Sequence, residues 1–319
     1  MDSQTQAVAA APERVRPPRR LAPYRRPRRD AGRNGFGYLL LAPQVVCFTA
    51  IGLISLISVA WLSLHQVNVL AGTQTFVGLD NYASIFTDPD MKVILPNTFF
   101  FVGVLSVAGT IVALALAVLL NQKLPGINIF RSAIFVPALV TMVAWSLAWR
   151  FIVQPKGGFD ALFALVGVEP LPWLRGSWLT LLVFALIQLT KNVGINVMIF
   201  LAALQAVPED LIDAARIDGA GRWGRFRNVV IPQISPSILM VFMLMIVGSF
   251  KVFELVLLLT NGGPGVQSTV LSFEIYKQAF LLNDIGYASA LAVLLFVIVL
   301  ALTGLIWQLR KRLVFHESE

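Results

Sequence analysis

Cysteine, histidine and charge are all scarce in this chain of 319 residues. The lone Cys47 has no partner for an intrachain disulfide, so the redox compartment is not legible. His65 and His316 are isolated from each other, which leaves no histidine-based metal cluster and no nucleophile–histidine pair. That argues against a membrane-embedded enzyme. There is no GxxxxGK segment followed by Ser or Thr, so the chain lacks a P-loop phosphate cradle. Nor is there an obvious internal repeat of the kind that builds self-sufficient secondary transporters. Charged residues make up 13% of the chain, about half the ~25% usual for a soluble domain.

What is abundant is apolar surface. Hydrophobic residues make up 57% of the chain, and its mean hydropathy is +0.77. A bilayer core of about 30 Å needs roughly 20 apolar residues in helix. Six stretches meet that length, at about 38–64, 97–121, 131–154, 178–204, 233–259 and 286–309. The expected fold is therefore an all-α membrane protein with six transmembrane helices. Residues 38–312 form its membrane domain, between a tail over 1–37 and a short tail over 313–319.

The distribution of Lys and Arg orients the spans. Eighteen of the 25 fall in 1–37, 122–131, 205–232 and the C-terminal tail. Only Lys92, Lys156, Arg175 and Lys277 fall in the loops on the other side. By the positive-inside rule both termini and the 205–232 loop are cytoplasmic. The first tail holds nine arginines among prolines and reads as a disordered segment that fixes topology; contact with anionic lipid headgroups is the alternative. The net charge of +8 does not suggest nucleic acid, because no folded basic module is present. The outer loops carry FVGLDNYASIF and FEIYKQAF, both readable as short helices. They also carry Trp173 and Trp178, which suit an aromatic belt.

One polar stretch interrupts the apolar pattern: PEDLIDAARIDGAGRWGRFRNVVIP, residues 208–232. Pro208 suits a first helical turn, and Glu209 and Asp210 sit where the helix dipole favours negative charge. Leu211, Ala214, Ala215 and Asp218 share a face. Gly219 and Gly221 either stop the helix or let another backbone approach. Trp223, Phe226 and Val230 form an apolar stripe on a second short helix, interleaved with Arg222, Arg225 and Arg227. Pro232 marks the junction with the next span. Such a hairpin suits insertion into a groove on a partner, or simply lies at the membrane surface.

This stretch resembles the EAA loop of bacterial ABC importer permeases, with Asp213-Ala214-Ala215, Gly219 and Ile231-Pro232 at the pattern's positions. Asp213 stands where the pattern has Glu, and Ile231 where it has Leu. AARIDGAGRWGRF is especially similar to the carbohydrate-uptake (maltose and glycerol-phosphate) branch, as are FVGLDNY, LQAVPEDL and LTNGGPGVQST. The resemblance implies a permease subunit in a bacterial inner membrane. It implies a second permease of a different chain, two ABC ATPase subunits and an extracytoplasmic solute-binding protein as partners. It further implies that ATP and Mg are used by the ATPases, with no cofactor or metal on this chain. The 207–232 loop would then be the ATPase-coupling element, through Asp213, Ala214, Ala215, Asp218, Gly219, Trp223, Phe226 and Pro232.

Polar and charged groups inside the spans are the remaining signal. An ionisable group near the bilayer centre costs at least about 2.5–3.5 kcal/mol on insertion scales. Lys191 lies in the fourth span, and Lys251 and Glu254 in the fifth. They line a water-filled path, or Glu254 pairs with Lys251 (i, i+3 on one helix) or with Lys191. In the resembled branch, counting back from LQAVP and NGGP places the solute path at Thr190, Lys191 and Asn192, and at Gly248, Ser249 and Val252. Asn196 extends the stripe one turn below Asn192. Mid-span Gly and Asn also occur at plain helix contacts. Trp145 and Trp149 read as packing residues, and Arg150 as a side chain that snorkels outward. The implied cargo is a sugar or oligosaccharide, with glycerol-3-phosphate or a glycerophosphodiester as the alternative.

Overall fold

The computed structural model describes residues 31–313, apart from 70, 123, 166, 168 and 170. Most of the expected basic tail and the last six residues lie outside the described residues. Two compact units divide the chain, one reaching to Ile54 and one running from Ser55.

The first unit contains the start of α1 (Ala31–Leu62), so helix begins within the stretch read as tail. From Leu40 to Ile54 its apolar side chains are exposed, Phe48 to 79%. Such an all-round apolar helix is a membrane span rather than a surface helix.

The second unit opens with a departure from the all-helical expectation. β1 (His65–Asn68) pairs antiparallel with β2 (Thr73–Phe76), with His65 opposite Phe76 and Asn68 opposite Thr73. Then come α2 (Asp80–Thr87), the long α3 (Met91–Leu120), α4 (Ile127–Leu139), α5 (Met142–Val153) and α6 (Gly158–Leu165). The fourth span is α7 (Ser177–Gln205). The polar stretch forms α8 (Glu209–Ile217) and α9 (Arg222–Arg225), and a π-helical turn over Phe226–Val230 leads into α10 (Ile231–Ser249). The short α11 (Glu254–Leu259) and α12 (Leu271–Tyr276) precede α13 (Ile285–Leu313). Segments FVGLDNYASIF and FEIYKQAF are thus largely helical, in α2 and α12.

Among the described residues, five helices are long and apolar enough to span a bilayer, and a bent pair makes up to six. The bent pair corrects the straight third span expected over 131–154. Helices 127–139 and 142–165 meet at 102°. Pro137 cannot donate a helical hydrogen bond. Val140 is extended, and Thr141 Oγ1 accepts from Ala144 N at 3.4 Å, capping a new helix.

The fifth span differs at both ends. It starts at Arg222, because the helix does not break at Pro232. In the π turn Ile231 N donates to Phe226 O, five residues back, which lets the helix pass the proline. Pro236 would leave the Pro232 carbonyl without a donor, and Ser235 Oγ supplies one at 2.7 Å. At the other end the helix stops at Ser249. Lys251 N and Val252 N tighten onto Gly248 O and Ser249 O, and helix resumes at Glu254. Lys251 and Glu254 therefore do not share one helix.

The core of this unit lies where α3, α7 and α10 meet. Phe101, Leu105, Ala113 and Ala117 pack with Phe184, Ile187, Val197 and Phe200, and with Val241, Met245 and Ile246. Gly109 leaves room for the tip of Met245, whose Cε occupies the space a Cβ there would take. Trp173 is not in an aromatic belt. It is buried, donates Nε1 to Asp160 Oδ1 at 2.8 Å and packs on Phe159 and Phe163. Trp178 is exposed.

Candidate functional site

The 208–232 hairpin begins at Pro208, which takes the N-cap position rather than the first helical one. The turn after α8 has a specific geometry. Gly219 N donates to Arg216 O at 3.1 Å, and Ala220 N to Ala215 O at 3.0 Å. These are the two bonds of a Schellman motif, which needs a left-handed residue at its centre. Gly219 supplies it with φ +80, and nothing lies within 4 Å of where its Cβ would be. The glycine is thus required by backbone conformation and not by a close approach. Gly221 has an ordinary φ of −65.

Neither α8 nor α9 buries a residue. Ala214 is exposed, Ala215 is half-buried, and Asp218 caps the end of α8. Asp213 and Arg216 pair at 3.0 Å, both more than half exposed, so the pair adds little stability. Ile217 is 86% and Trp223 69% exposed, while Phe226 is half-buried beside Trp223 with ring centroids 5.7 Å apart. The hairpin presents apolar side chains and small residues to its surroundings.

Two adjoining cavities lie between α7 and α10. One, of about 270 Å³, is lined by Gln188, Asn192, Asn196, Gly248 and Ser249 with apolar neighbours. The other, of about 230 Å³, is lined by Met142, Gln188, Lys191, Gly248, Lys251, Val252 and Glu254, among others. Gln188 and Gly248 belong to both. A Cβ on Gly248 would meet nothing within 4 Å, so the glycine opens space for an occupant.

The sequence-predicted path residues behave differently from one another. Asn192, Gly248, Ser249, Lys191 and Val252 come together at these cavities. Thr190 does not: its Oγ1 donates back to Leu186 O and Ile187 O, at 3.0 and 2.9 Å. Ser249 Oγ donates to Met245 O at 2.6 Å, which leaves its oxygen only as an acceptor. Asn196 is buried, and its Nδ2 reaches Met245 Sδ at 3.1 Å. Lys191 Nζ donates to Pro137 O at 3.4 Å and to Val140 O, both at the bend in the third span.

The interior ion pair, one of the two readings of these charges, is not formed. Among the described residues no salt bridge joins Glu254 to Lys251 or Lys191; the two recorded pairs are Arg216–Asp213 and Lys277–Glu274. The reason is the non-helical segment between Ser249 and Glu254, which removes the i, i+3 geometry. Trp145 donates Nε1 to Ile187 O at 3.2 Å and stacks edge-on with Trp149, a packing arrangement. Arg150 Nη1 points to Leu258 O at 3.5 Å.

Sequence reasoning passed over Gln188. It lies four residues before Asn192 and eight before Asn196, so the three share one face of α7. Its Oε1 is buried and without a hydrogen-bond partner. The i, i+4, i+8 polar spacing was the available signal. No cluster of three His, Cys, Asp or Glu side chains able to hold a metal occurs among the described residues.

Residues 106–313, which hold the hairpin and both cavities, match the family described as binding-protein-dependent transport system inner membrane component. The chain belongs to this family. A probable ABC transporter permease of Bacillus subtilis (strain 168) is 33% identical over 271 residues, covering 83% of this chain and 92% of the relative. An arabinooligosaccharides transport system permease of the same organism is 32% identical, covering 83% and 85%. An sn-glycerol-3-phosphate transport system permease of Yersinia enterocolitica is 29% identical, covering 90% and 100%. The fold is shared with a bacterial ABC transporter crystallised with an alginate pentasaccharide-bound periplasmic protein. Its TM-score is 0.78 at 19% identity, covering 91% of this chain and 98% of that one.

As a binding-protein-dependent permease, the chain is a multi-pass protein of a cell membrane and forms half of the translocation path of an ABC importer. It is a transport subunit and not an enzyme; partner ATPase subunits hydrolyse ATP. Permeases of this family bind no cofactor of their own, and they work in complexes with a further permease, ATPases and a solute-binding protein.

Proposed function

We propose that this permease carries a neutral sugar or oligosaccharide into a bacterial cell, through the cavities beside Gln188, Asn192 and Gly248. The charge arrangement carries the reading. Two hydrogen-bond donors of Lys191 are engaged by the carbonyls of the third span. What remains at the cavity is one Lys and one Glu, of opposite sign, with no arginine. Amides, a hydroxyl oxygen and an open glycine complete the lining. Such a surface suits a polyhydroxylated solute, whereas a phosphate dianion is matched by a cationic fork of the arginine type. Relatives named for arabinooligosaccharides and for trehalose/maltose support a sugar. Relatives named for sn-glycerol-3-phosphate support the second reading, the same route carrying a phosphorylated glycerol.

In this reading both termini and the hairpin lie in the cytoplasm, and the hairpin seats in the ATPase subunits through Ile217 and Trp223. Asp213 to Asp218 and Gly219 shape it, and Phe226 and Pro232 join it to the fifth span. The second permease is a different chain in the same inner membrane, and the binding protein delivers solute to the outer loops. The discriminating experiment is ATPase stimulation of the reconstituted complex with its binding protein. Neutral oligosaccharides are expected to stimulate; stimulation by glycerol-3-phosphate or glycerophosphodiesters alone would sink the sugar reading.

A further inference from the structure

We infer that Lys191 is a positioning residue that ties the fourth span to the bend in the third, so that movement of one is carried to the other. Three observations meet at this side chain. First, α4 ends at Leu139, where Val140 N closes the last turn on Pro137 O at 3.2 Å and the remaining terminal carbonyls lack intrahelical donors. Lys191 Nζ donates to Pro137 O and Val140 O there, where the helix dipole also favours a cation. Second, α4 and α7 touch through their backbones one turn further along. A Cβ on Gly194 would lie 2.9 Å from Phe135 Cα, so the two helices have no slack at this point. Third, Met142, the first residue of α5, lines the same cavity as Lys191. The angle of the bend therefore sets one wall of that cavity.

The fourth span is one helix from Ser177 to Gln205, and the hairpin helix begins at Glu209. A displacement of α7 reaches Lys191 and Gly194 with no break in between. The contact at Gly194 moves α4, and the Lys191 hydrogen bonds hold its end, leaving Val140–Thr141 as the place that bends. Lys191 then shapes the cavity from behind and is not itself a solute ligand. The inference rests on the import reading only for its consequence to the solute.

The test uses the full complex in proteoliposomes, carrying Cys47→Ser and Met142→Cys. The rate at which a maleimide labels the introduced thiol is measured without nucleotide and after trapping with ATP and vanadate. The expected result is a severalfold difference between the two states. Lys191→Met abolishes that difference, and Lys191→Arg, which keeps the charge and donors, preserves it. If Lys191→Met does not co-purify with its partners, Lys191→Leu, which likewise carries no donor, takes its place. An unchanged difference in the neutral variant overturns the inference, as does its loss in Lys191→Arg or its absence from the parent. Labelling needs no solute, so the result stays readable if the sugar reading fails.

Discussion

Gly194 and Ile134 meet backbone to backbone: a Cβ on Gly194 would stand 2.4 Å from the Ile134 carbonyl oxygen. Neither partner is a flexible side chain, so neither can step aside cheaply. Gly194→Ala is expected to destabilise the chain by about 1–3 kcal/mol, the usual cost of overpacking. Thermal unfolding of the detergent-solubilised complex reads this out. Gly248→Ala is the control, since its Cβ enters open space; equal melting of the two would show that the helices are not in tight contact at Gly194.

The hairpin glycines separate conformation from crowding. Gly219→Ala forces an L residue into a left-handed conformation, costing about 1–2 kcal/mol. Gly221→Ala adopts an ordinary φ and is expected to be close to neutral. Coupling, measured as solute moved per ATP hydrolysed, should fall in the first and hold in the second. Loss in both would point to the space around the turn rather than to its backbone.

Trp223 is the largest exposed apolar side chain of the hairpin. Buried aromatic anchors at interfaces are worth about 2 kcal/mol or more, roughly thirtyfold in affinity. Trp223→Ala should weaken ATPase binding on that order, measured by pull-down titration. Arg222→Ala, with no ring to bury, should change it much less. Similar affinity for both variants would place the interface elsewhere.

Gln188→Met keeps the volume but removes an amide whose oxygen has no partner in the protein. A hydrogen bond contributes about 0.5–1.5 kcal/mol, so the KM for solute delivered by the binding protein should rise about two- to tenfold. Asn192→Leu should act in the same direction. Thr190→Val should not, because its hydroxyl serves its own helix. A rise for Thr190→Val and none for Gln188→Met would relocate the path.

How legible all this was depended on the length scale of the signal. Long apolar runs placed the first, fourth and sixth spans to within a few residues, because nothing in them competes with helix. The second span began six residues earlier than expected, at Met91, with Pro96 inside the helix. The third and fifth spans misled for one shared reason: a proline's effect depends on where its neighbours' carbonyls find donors. At Pro137 the chain turned, with Thr141 and Lys191 satisfying the ends. At Pro232 and Pro236 it ran on, helped by a π turn and Ser235. Residue spacing alone does not carry that information. The polar stripe was half visible, since Asn192 and Asn196 were paired but Gln188 was not. Lys191 was noticed for its charge, while its partners lie 51 and 54 residues away on another helix.

Because helix passes Pro232 without interruption, Trp223 and Gly248 stand on one rod. Twenty-five steps at 1.5 Å make it roughly 38 Å long. A tilt of about 5° at the Trp223 end displaces the Gly248 end by roughly 3 Å, about the width of one water molecule. On the proposed coupling role, a lever of this length would carry a small rotation at the hairpin to the Gly248 wall of the cavity as a displacement large enough to admit or exclude water.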